Sequence, residues 1–348
     1  MRVGAIPESL LERIALATGA APTPIVDTLH AVIVARAVVV ATKLGVFEAL
    51  ADAPAGAEAL AASLRLNAGA LEKLLNLLVA TGYLRHGDPG YVLSPLARKW
   101  LLADSPQSLR DSMLLRLLEW QAIETTEAFV RTGNPLDVHD IIRGDQWTTY
   151  QRGMHALAGL SAGEVVRRVK PPAGATAMLD IGGGHGAYSV AFCRAHPGLS
   201  ATILDLPEAG AAAAPILAAE KMGGRVVHQP GDALTDDFGA AEWDLVFIAQ
   251  LVHHFDAGTN AEIVRHAAAA LKPGGRIAIL DVLRPEKPGR RAQAGALLDL
   301  YFAVTSNAGT WSAAEIAGWF QSAGLKPARP IHLRMTPGIS VMTATLPR

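Results

Sequence analysis

The segment Ala177–Gly186, with the sequence AMLDIGGGHG, decides the fold. Its first five residues are apolar apart from Asp180, which is typical of a buried β-strand, and four glycines follow within five positions. A strand that runs into a glycine-rich turn and a helix is a unit of an open α/β sheet, in which ligands bind at the carboxyl ends of the strands. Glycines let the backbone turn sharply and approach a ligand closely there. We therefore predict a ligand site at this turn.

The chain beyond the turn alternates strands and helices. Two of these helices carry the pattern of a capping box, Thr259 with Glu262 and Ser312 with Glu315. Alternation of this kind predicts an α/β domain with helices on both faces of a mostly parallel sheet. We predict a mixed sheet of seven strands, at 177–181, 201–206, 225–228, 244–248, 276–283, 331–334 and 340–345.

The chain before the turn reads almost entirely as helix. The segment KPPAG at 170–174 separates the two patterns, and we place the domain boundary there, giving domains 1–170 and 171–348. Helices predicted at 58–63 and 68–81, followed by a hairpin at 83–93, indicate a winged-helix-like module. Such modules often bind DNA, but the second helix offers only Lys73, beside Glu72, and a row of leucines. We expect these leucines to form an apolar surface for a protein partner, and we favour dimerisation over DNA binding.

The bulk composition limits the function classes. The 348 residues are 50% hydrophobic and 18% charged, which excludes a disordered chain, and the net charge of −1 favours no nucleic acid partner. The single cysteine, Cys193, excludes a disulfide framework and indicates a reducing compartment. We expect a cytoplasmic protein without a signal peptide. We also expect no membrane span, because Asp27, His30, Arg36 and Lys43 interrupt the most apolar stretch.

Three acids follow the first three strands of the predicted sheet. Asp180 precedes the first glycine by two residues, Asp205 ends the second strand, and Asp232 follows the third. A carboxylate at the end of the second strand can accept both ribose hydroxyl protons, and one after the third can accept an adenine amine. The turn also satisfies a loose dinucleotide fingerprint, so a nicotinamide dehydrogenase remains an alternative at this point.

The segment FIAQLVHHFD at 247–256 completes a resemblance. Together these elements resemble the two-domain class I S-adenosylmethionine-dependent O-methyltransferases of the caffeate and hydroxyindole type, over nearly the whole chain. The resemblance implies S-adenosylmethionine as cofactor, a small-molecule acceptor and a homodimer formed by the helical N-terminal domain. It assigns the methionine moiety to the glycine turn, the ribose to Asp205 and the adenine to Asp232. The cofactor-binding residues that it implies are Asp180, Gly182, Gly184, Gly186, Asp205, Leu206, Asp232, Ala233 and Ala249.

The resemblance also places the general base at His253. A phenol with a pKa near 10 is a poor nucleophile until it loses its proton, which a histidine can accept at neutral pH. The family often carries a glutamate that orients this histidine, and here Asp281, one methylene shorter, stands at that position. A second family glutamate is replaced by Thr310, a cofactor-contacting lysine by Ala249, and the aspartate after the base by His254. These departures leave the orientation of the base and the acceptor open.

The acceptor pocket is the least determined part of the prediction. The segment Tyr150–Met154 is similar to the family segment that closes over cofactor and acceptor. We expect a flat aromatic acceptor if the aromatic residues line a pocket, although such residues are more often core. C- or N-methylation, or a non-methylating use of the cofactor, remain alternatives. We expect no metal at His253, His254 and His266, because no carboxylate or cysteine joins them at ligand spacing. The predicted substrate-binding residues are Trp147, Tyr150, Met154, Tyr301, Phe302 and Asn307.

Overall fold

The structure, a computed structural model, describes residues 3–348, except the side chain of Arg291. The chain forms two compact units, the first ending at Leu117 and the second running from Leu118 to Arg348. The helices of residues 118–170 belong to the second unit, where two of them pack on the helices that cover the sheet. The compact units therefore divide before the proline-glycine linker, and the domain bounds 1–170 and 171–348 remain a prediction from the change of pattern.

The first unit is helical with one small hairpin. Its helices enclose a core that includes Phe47, Leu75 and Leu78, and the strands of the hairpin are antiparallel. Two helices followed by a hairpin is the order that we predicted, while the winged-helix assignment stays a prediction. The elements are α1 (Leu10–Thr18), α2 (Thr23–Ile25), a π-helical segment (Val26–His30), α3 (Ala31–Lys43), α4 (Val46–Ala49), α5 (Ala57–Leu64), α6 (Ala68–Ala80), β1 (Leu84–Gly87), β2 (Gly90–Leu93), α7 (Pro95–Trp100) and α8 (Arg110–Ile123), which crosses into the second unit.

The leucines of α6 correct one of our arguments. We expected them to form an apolar surface for a partner, but Leu71, Leu75 and Leu78 fill the core of the unit itself. Most of the exposed large apolar side chains in the described part of this unit lie instead on α1 and on the helical stretch Thr23–Lys43. That stretch is long and apolar enough to cross a membrane by length and composition, and 28% of its most apolar window is buried. Its charged residues therefore do not exclude a span, although a core helix would pass the same test.

The second unit is an α/β domain whose sheet is covered on both faces. Successive residues of one central strand alternate between two hydrophobic clusters, with Val246 and Ile248 in one and Leu245 and Phe247 in the other. Its helices are α9 (Thr126–Thr132), α10 (Val138–Ile141), α11 (Gln146–Gly159), α12 (Ala162–Arg168), α13 (Ala187–Ala195), α14 (Pro207–Ala219), α15 (Ala257–Ala270), α16 (Gln293–Thr305) and α17 (Ala313–Ser322), with 3₁₀ turns at Gly223–Arg225, Val252–His254 and Arg290–Ala292.

The sheet is mixed, as predicted. Its strands are β3 (Ala177–Ile181), β4 (Ser200–Asp205), β5 (Val226–Pro230), β6 (Trp243–Ala249), β7 (Leu271–Val282), β8 (Lys326–Pro327), β9 (Ile331–His332) and β10 (Ile339–Thr345). Their order is β5-β4-β3-β6-β7-β10-β8, with β9 beside β10; β3 to β7 are parallel and β10 is antiparallel to β7. The eighth strand, β8, is a two-residue segment beyond our count of seven. The strand order reverses between β3 and β6, which is where ligands bind in such sheets.

The helix ends show where local signals were sufficient. The predicted capping box of Ser312 with Glu315 is confirmed at α17. The box predicted from Thr259 with Glu262 is wrong, because α15 begins earlier, at Ala257, and Asp256 caps it by accepting the N–H of Thr259. An aspartate is at least as good an N-cap as a threonine, so the competing signal three residues upstream determined where the helix starts.

Candidate active site

The glycine turn after β3 has a backbone that only glycine adopts without strain. Gly182, Gly184 and Gly186 have φ angles of +67°, +42° and +71°, and Gly186 precedes α13. A Cβ on Gly183 would lie 2.5 Å from Cγ of Asp180, and one on Gly184 would lie 2.7 Å from Oε1 of Gln151. The turn therefore leaves no room for side chains, and a ligand can approach its backbone closely.

Asp180 lies beneath the turn and is 1% exposed. Its Oδ2 accepts a hydrogen bond of 2.7 Å from Ser189 of α13, while Oδ1 is buried with no hydrogen-bond partner within the described residues. Burial raises the pKa of the Asp180 carboxyl to about 7, against the lowering effect of the Ser189 hydrogen bond, and the charge of Asp205 raises it further. A cationic group near the turn would stabilise the ionised form of this carboxyl.

Asp205, at the end of β4, connects the second strand to the turn. Its Oδ2 accepts the N–H of Gly184 at 2.7 Å, and its Oδ1 accepts the N–H of Leu206 at 2.8 Å. Burial raises the pKa of Asp205, although both backbone hydrogen bonds lower it. The carbonyl of Gly184 is also 2.7 Å from Nε2 of His228, so the same glycine is held from two sides. Each carboxylate oxygen has a second lone pair with which it can accept a ligand hydroxyl.

The remaining predicted cofactor residues surround the same end of the sheet. Asp232, after β5, accepts the N–H of Leu234 at 2.9 Å, so an Asx turn is present there. Leu206 is 43% exposed, Ala233 is half-buried beside the core, and Ala249 is the last residue of β6. The structure thus places these residues at or just after the carboxyl ends of β4, β5 and β6. Their contacts with a cofactor remain a prediction.

His253 lies in the 3₁₀ turn after β6, opposite Asp281 near the end of β7. Both residues are buried, at 3% and 2% exposure, and Nδ1 of His253 lies 3.0 Å from each carboxylate oxygen of Asp281. The backbone N–H of Val282 donates to Oδ1 of the same carboxylate at 2.7 Å. The ring of Phe302 stacks on the imidazole, with 3.8 Å between ring centroids. Aspartate therefore reaches the histidine despite being one methylene shorter than glutamate.

The turn that carries His253 is itself held by buried polar side chains. The carbonyl of Val252 accepts hydrogen bonds of 2.9 Å from Asn260 and from the indole of Trp311. Gln250, between β6 and the turn, has a left-handed backbone with φ +52°, which is strained for a residue with a side chain. Strain of this kind persists where surrounding contacts fix the backbone, and it often marks functional sites. Thr310, at the position of the second family glutamate, donates to Asp299 instead.

A second aspartate–histidine pair lies beside the first. Nδ1 of His139 is 3.0 Å from Oδ1 of Asp137, and its Nε2 is 3.0 Å from the hydroxyl of Tyr150. Although burial opposes it, the hydrogen bonds from His139 hold the pKa of Asp137 below its usual value. The ring of His254 lies 4.7 Å from that of His139 and 4.3 Å from that of His253. Burial, together with these two histidines, keeps the pKa of His254 well below its usual value, so the ring is neutral.

The predicted substrate residues mostly gather around these histidines. The ring of Trp147 stacks on His139, Phe302 stacks on His253, and Tyr301 contacts Phe302 edge to face. Asn307 donates from Nδ2 to Oδ2 of Asp137 at 3.0 Å. Met154 is half-buried one helical turn after Tyr150. Whether these residues line an acceptor pocket stays a prediction.

Sequence reasoning missed several polar residues of the site. They are Asp137, His139, Gln151, Ser189 and His228. The Asp-x-His spacing at 137–139 was a visible signal, but nothing in the sequence brings it to His254. Our argument against a metal rested on the absence of a carboxylate, and Asp137 now supplies one, because Asp137, His139 and His254 place one ligand atom each within 4.8 Å of one another.

Comparisons with known proteins agree with this geometry. An O-methyltransferase domain matches residues 137–326, more than half of the chain, and an O-methyltransferase dimerisation domain matches residues 26–103. The mitomycin biosynthesis 6-O-methyltransferase of Streptomyces lavendulae is 30% identical over 90% of this chain and 92% of its own. The 3-hydroxy-5-methyl-1-naphthoate 3-O-methyltransferase of Streptomyces sahachiroi is 28% identical over 93% of this chain and 94% of its own.

A solved structure shows the same fold. Human N-acetylserotonin methyltransferase in complex with S-adenosylmethionine is 20% identical, with a TM-score of 0.79 over 99% of this chain and 100% of its own. The predicted fold class, enzyme class and cofactor are confirmed, and the O-methyltransferase relatives do not favour the C- and N-methylation alternatives. The glycine cradle and the unpartnered oxygen of Asp180 fit S-adenosylmethionine, a cation. The chain belongs to the two-domain S-adenosylmethionine-dependent O-methyltransferases.

Proposed function

We propose that this O-methyltransferase methylates a phenol or enol hydroxyl of a flat aromatic natural product, with His253 as general base. The observation that carries the proposal is the buried pair of His253 and Asp281, in which Nδ1 faces both carboxylate oxygens at 3.0 Å. A carboxylate accepts but does not donate when ionised, so it favours the tautomer with the proton on Nδ1. Nε2 is then the nitrogen that can accept a proton.

The chemistry requires little else from the protein. S-adenosylmethionine supplies an electrophilic methyl group on a sulfonium. The chain has to hold the acceptor oxygen in line and remove its proton. At neutral pH a phenol retains its proton, whereas a neutral imidazole can accept it. Asp281 acts on the acceptor only through His253, by fixing the ring and stabilising its cation once the proton has moved, and it is therefore a positioning residue.

The aromatic acceptor class rests on two supports. Trp147, Tyr301 and Phe302 surround the histidines, and flat rings of this kind pack well on flat ligands. The relative from Streptomyces sahachiroi is named for a hydroxynaphthoate, and the one from Streptomyces lavendulae for mitomycin biosynthesis. We propose the hydroxyl of a bicyclic or larger aromatic ring as the methyl acceptor.

The proposal includes the cofactor contacts and the assembly. Asp205 is proposed to accept the ribose hydroxyls, the glycine turn to hold the methionine moiety and Asp232 to accept the adenine amine. A homodimer is proposed to form through the N-terminal unit, whose helical stretch Thr23–Lys43 exposes Leu29, Val32 and Ile33. A cytoplasmic location stays a prediction.

The test compares His253→Ala with the wild type on a panel of hydroxynaphthoates and simpler phenols, measured as S-adenosylhomocysteine formed. We expect turnover to fall between about 100-fold and 10,000-fold, the range that a positioned base contributes, with cofactor affinity by calorimetry unchanged. His266→Ala, on the outer helix α15, is the matched control and should leave turnover unchanged. Unchanged turnover in His253→Ala would contradict the base role, and methylation of none of the phenols by the wild type would contradict the acceptor class.

Asp281 provides a second, graded test. Asp281→Asn removes the charge that fixes the imidazole tautomer, and we expect a loss of turnover of about 30-fold to 100-fold together with a shifted pH profile. Asp281→Glu restores the carboxylate that the family often carries, so it should retain more activity than Asp281→Asn. Equal losses in both variants, with an unshifted pH profile, would indicate a packing role only.

A further inference from the structure

Three side chains beside the proposed base form a cluster that methyl transfer does not require. Asp137 and His139 come from the segment that begins α10, and His254 follows His253 in the 3₁₀ turn after β6. One ligand atom from each lies within 4.8 Å of the other two. We propose that these three residues bind one divalent transition-metal ion such as Zn²⁺.

The donor set suits such an ion. Two imidazole nitrogens and one carboxylate oxygen are a common set of protein ligands for Zn²⁺ and its neighbours in the first transition row. Oδ1 of Asp137 and Nδ1 of His139 are 3.0 Å apart, and two ligand atoms about 2.1 Å from one tetrahedral ion are separated by about 3.4 Å, so this pair has to open by only a few tenths of an ångström to hold Zn²⁺. With one carboxylate and two neutral imidazoles, the divalent ion and its ligands carry a net charge of +1. This positive charge favours binding of a further oxygen ligand.

Two of the proposed ligands, His139 and Asp137, already have hydrogen-bond partners on the atoms that would not bind the ion. If Nδ1 of His139 binds the ion, its Nε2–H donates to the hydroxyl of Tyr150 at 3.0 Å. Asn307 donates to the other oxygen of Asp137, also at 3.0 Å. Metal-binding histidines and carboxylates usually have such hydrogen-bond partners, which fix the tautomer and the orientation of the ligand. These hydrogen bonds orient the side chains of His139 and Asp137 and leave one atom of each, Nδ1 and Oδ1, to bind an ion.

His254 supplies the independent observation. Its Nδ1 is buried and, among the residues that the structure describes, has no hydrogen-bond partner. A buried polar atom without a partner costs free energy, and in native structures such an atom often marks a site for an ion, water or ligand. The competing account is a hydrogen-bonded chain from Asp137 through His139 to Tyr150 without any ion. Within the described residues that account leaves Nδ1 of His254 without a partner, whereas an ion bound through this nitrogen would supply one.

The position of the ion suggests that it helps to hold the acceptor. Three protein ligands leave at least one coordination position open on Zn²⁺. The ion would lie beside the rings of Trp147 and His253, so the open position suits an oxygen substituent of the acceptor. This last step rests on the proposed function, whereas metal binding itself does not.

The test uses untagged full-length protein, stripped of metal and free of cofactor and acceptor. Zn²⁺ titration by calorimetry should show one strong site per chain, and Co²⁺ should give the d–d absorption bands of a bound ion. His139→Ala and His254→Ala should each weaken Zn²⁺ binding at that site at least 100-fold. Tyr150→Phe and Asn307→Ala should weaken it about 10-fold to 100-fold, the usual effect of losing a supporting hydrogen bond.

Controls separate this site from the other histidines of the chain, which number 11 in all. His266→Ala should bind Zn²⁺ as the wild type does, and circular dichroism should show that the ligand variants are folded. Absence of a one-to-one site, or a site that persists in both His139→Ala and His254→Ala, would overturn the proposal. Since no acceptor is used, the result does not depend on the role of His253.

Discussion

The proposed cofactor end and the proposed acceptor end of the site are built in different ways. The cofactor end consists largely of backbone from one continuous segment, 180–186, fastened to Asp205 through the N–H of Gly184. The acceptor end consists of side chains from residues 137–150, 253–254, 281 and 302–307, which meet only in the folded chain. A backbone cradle is specified by local sequence, whereas a side-chain cluster is specified by the fold.

This difference predicts how each end responds to mutation. Where the backbone leaves no space for a Cβ, every substitution should have a large effect, because any side chain must displace a neighbouring atom. Side chains in a cluster can be exchanged for others of similar shape, so effects at the acceptor end should be graded. The predictions below test that contrast.

Gly184→Ala should give the largest effect. The φ of +42° strains any other residue, and the new Cβ would lie 2.7 Å from Oε1 of Gln151 and 3.4 Å from Oδ2 of Asp205. We expect the affinity for S-adenosylmethionine to fall at least 100-fold, measured by calorimetry. Gly198→Ala is the matched control, because no atom of the described residues beyond its two chain neighbours lies within 4 Å of its Cβ position, and its φ is not left-handed. Cofactor affinity within threefold of the wild type in Gly184→Ala would contradict the backbone cradle.

Asp180 beneath the turn should make stability depend on pH. Burial raises the pKa of Asp180 to about 7 in the folded chain, compared with the ordinary value of 3.8. Between these two values the folded chain holds the proton more tightly than the unfolded chain does. The contribution of Asp180 to stability is therefore fully present below its ordinary pKa of 3.8 and is lost as the pH rises towards and through about 7. From pH 5.5 to pH 8 this loss amounts to about 2 kcal/mol.

The measurement compares wild type with Asp180→Asn. Asparagine cannot ionise, so the free energy of unfolding of the variant should fall by about 2 kcal/mol less over this pH range. Urea denaturation of both proteins without cofactor at pH 5.5 and pH 8 gives the difference, in which the titrating groups that do not interact with Asp180 cancel. Parallel pH dependence in the two proteins would show that the buried carboxyl is already ionised at pH 5.5.

The sequence predicts the cofactor end of the site better than the acceptor end. The turn at 182–186 and the position of Asp205 could be predicted because glycine positions and strand ends are local signals. His253 was found through family resemblance, since a histidine by itself has no local signature. The second pair, Asp137 and His139, could not be connected to His254, because more than 100 residues separate them and only the sheet topology brings them together.

The same physical reason explains the error about the leucines of α6. The leucines of α6 have the spacing of an apolar face, but spacing does not reveal whether the face packs on its own chain or on a partner. Here Leu71, Leu75 and Leu78 pack internally. The domain bounds at 170 and 171 remain a prediction, and α11 and α12, just before them, pack on the helices that cover the sheet. Packing partners are a property of the fold and cannot be read from periodicity.

Phe302→Leu should give the smallest effect and completes the contrast. Its ring stacks on His253 at 3.8 Å, so leucine keeps an apolar contact but loses the flat face that holds the imidazole. We expect turnover to fall about threefold to tenfold, corresponding to the 0.5–1.5 kcal/mol that such ring pairs contribute. Cofactor affinity should not change, because the ring lies at the acceptor end. A fall in turnover of about 100-fold or more, the size of the effect expected for Gly184→Ala, would show that a side chain at the acceptor end is as intolerant of exchange as the glycine turn, and the distinction between the two ends would then fail.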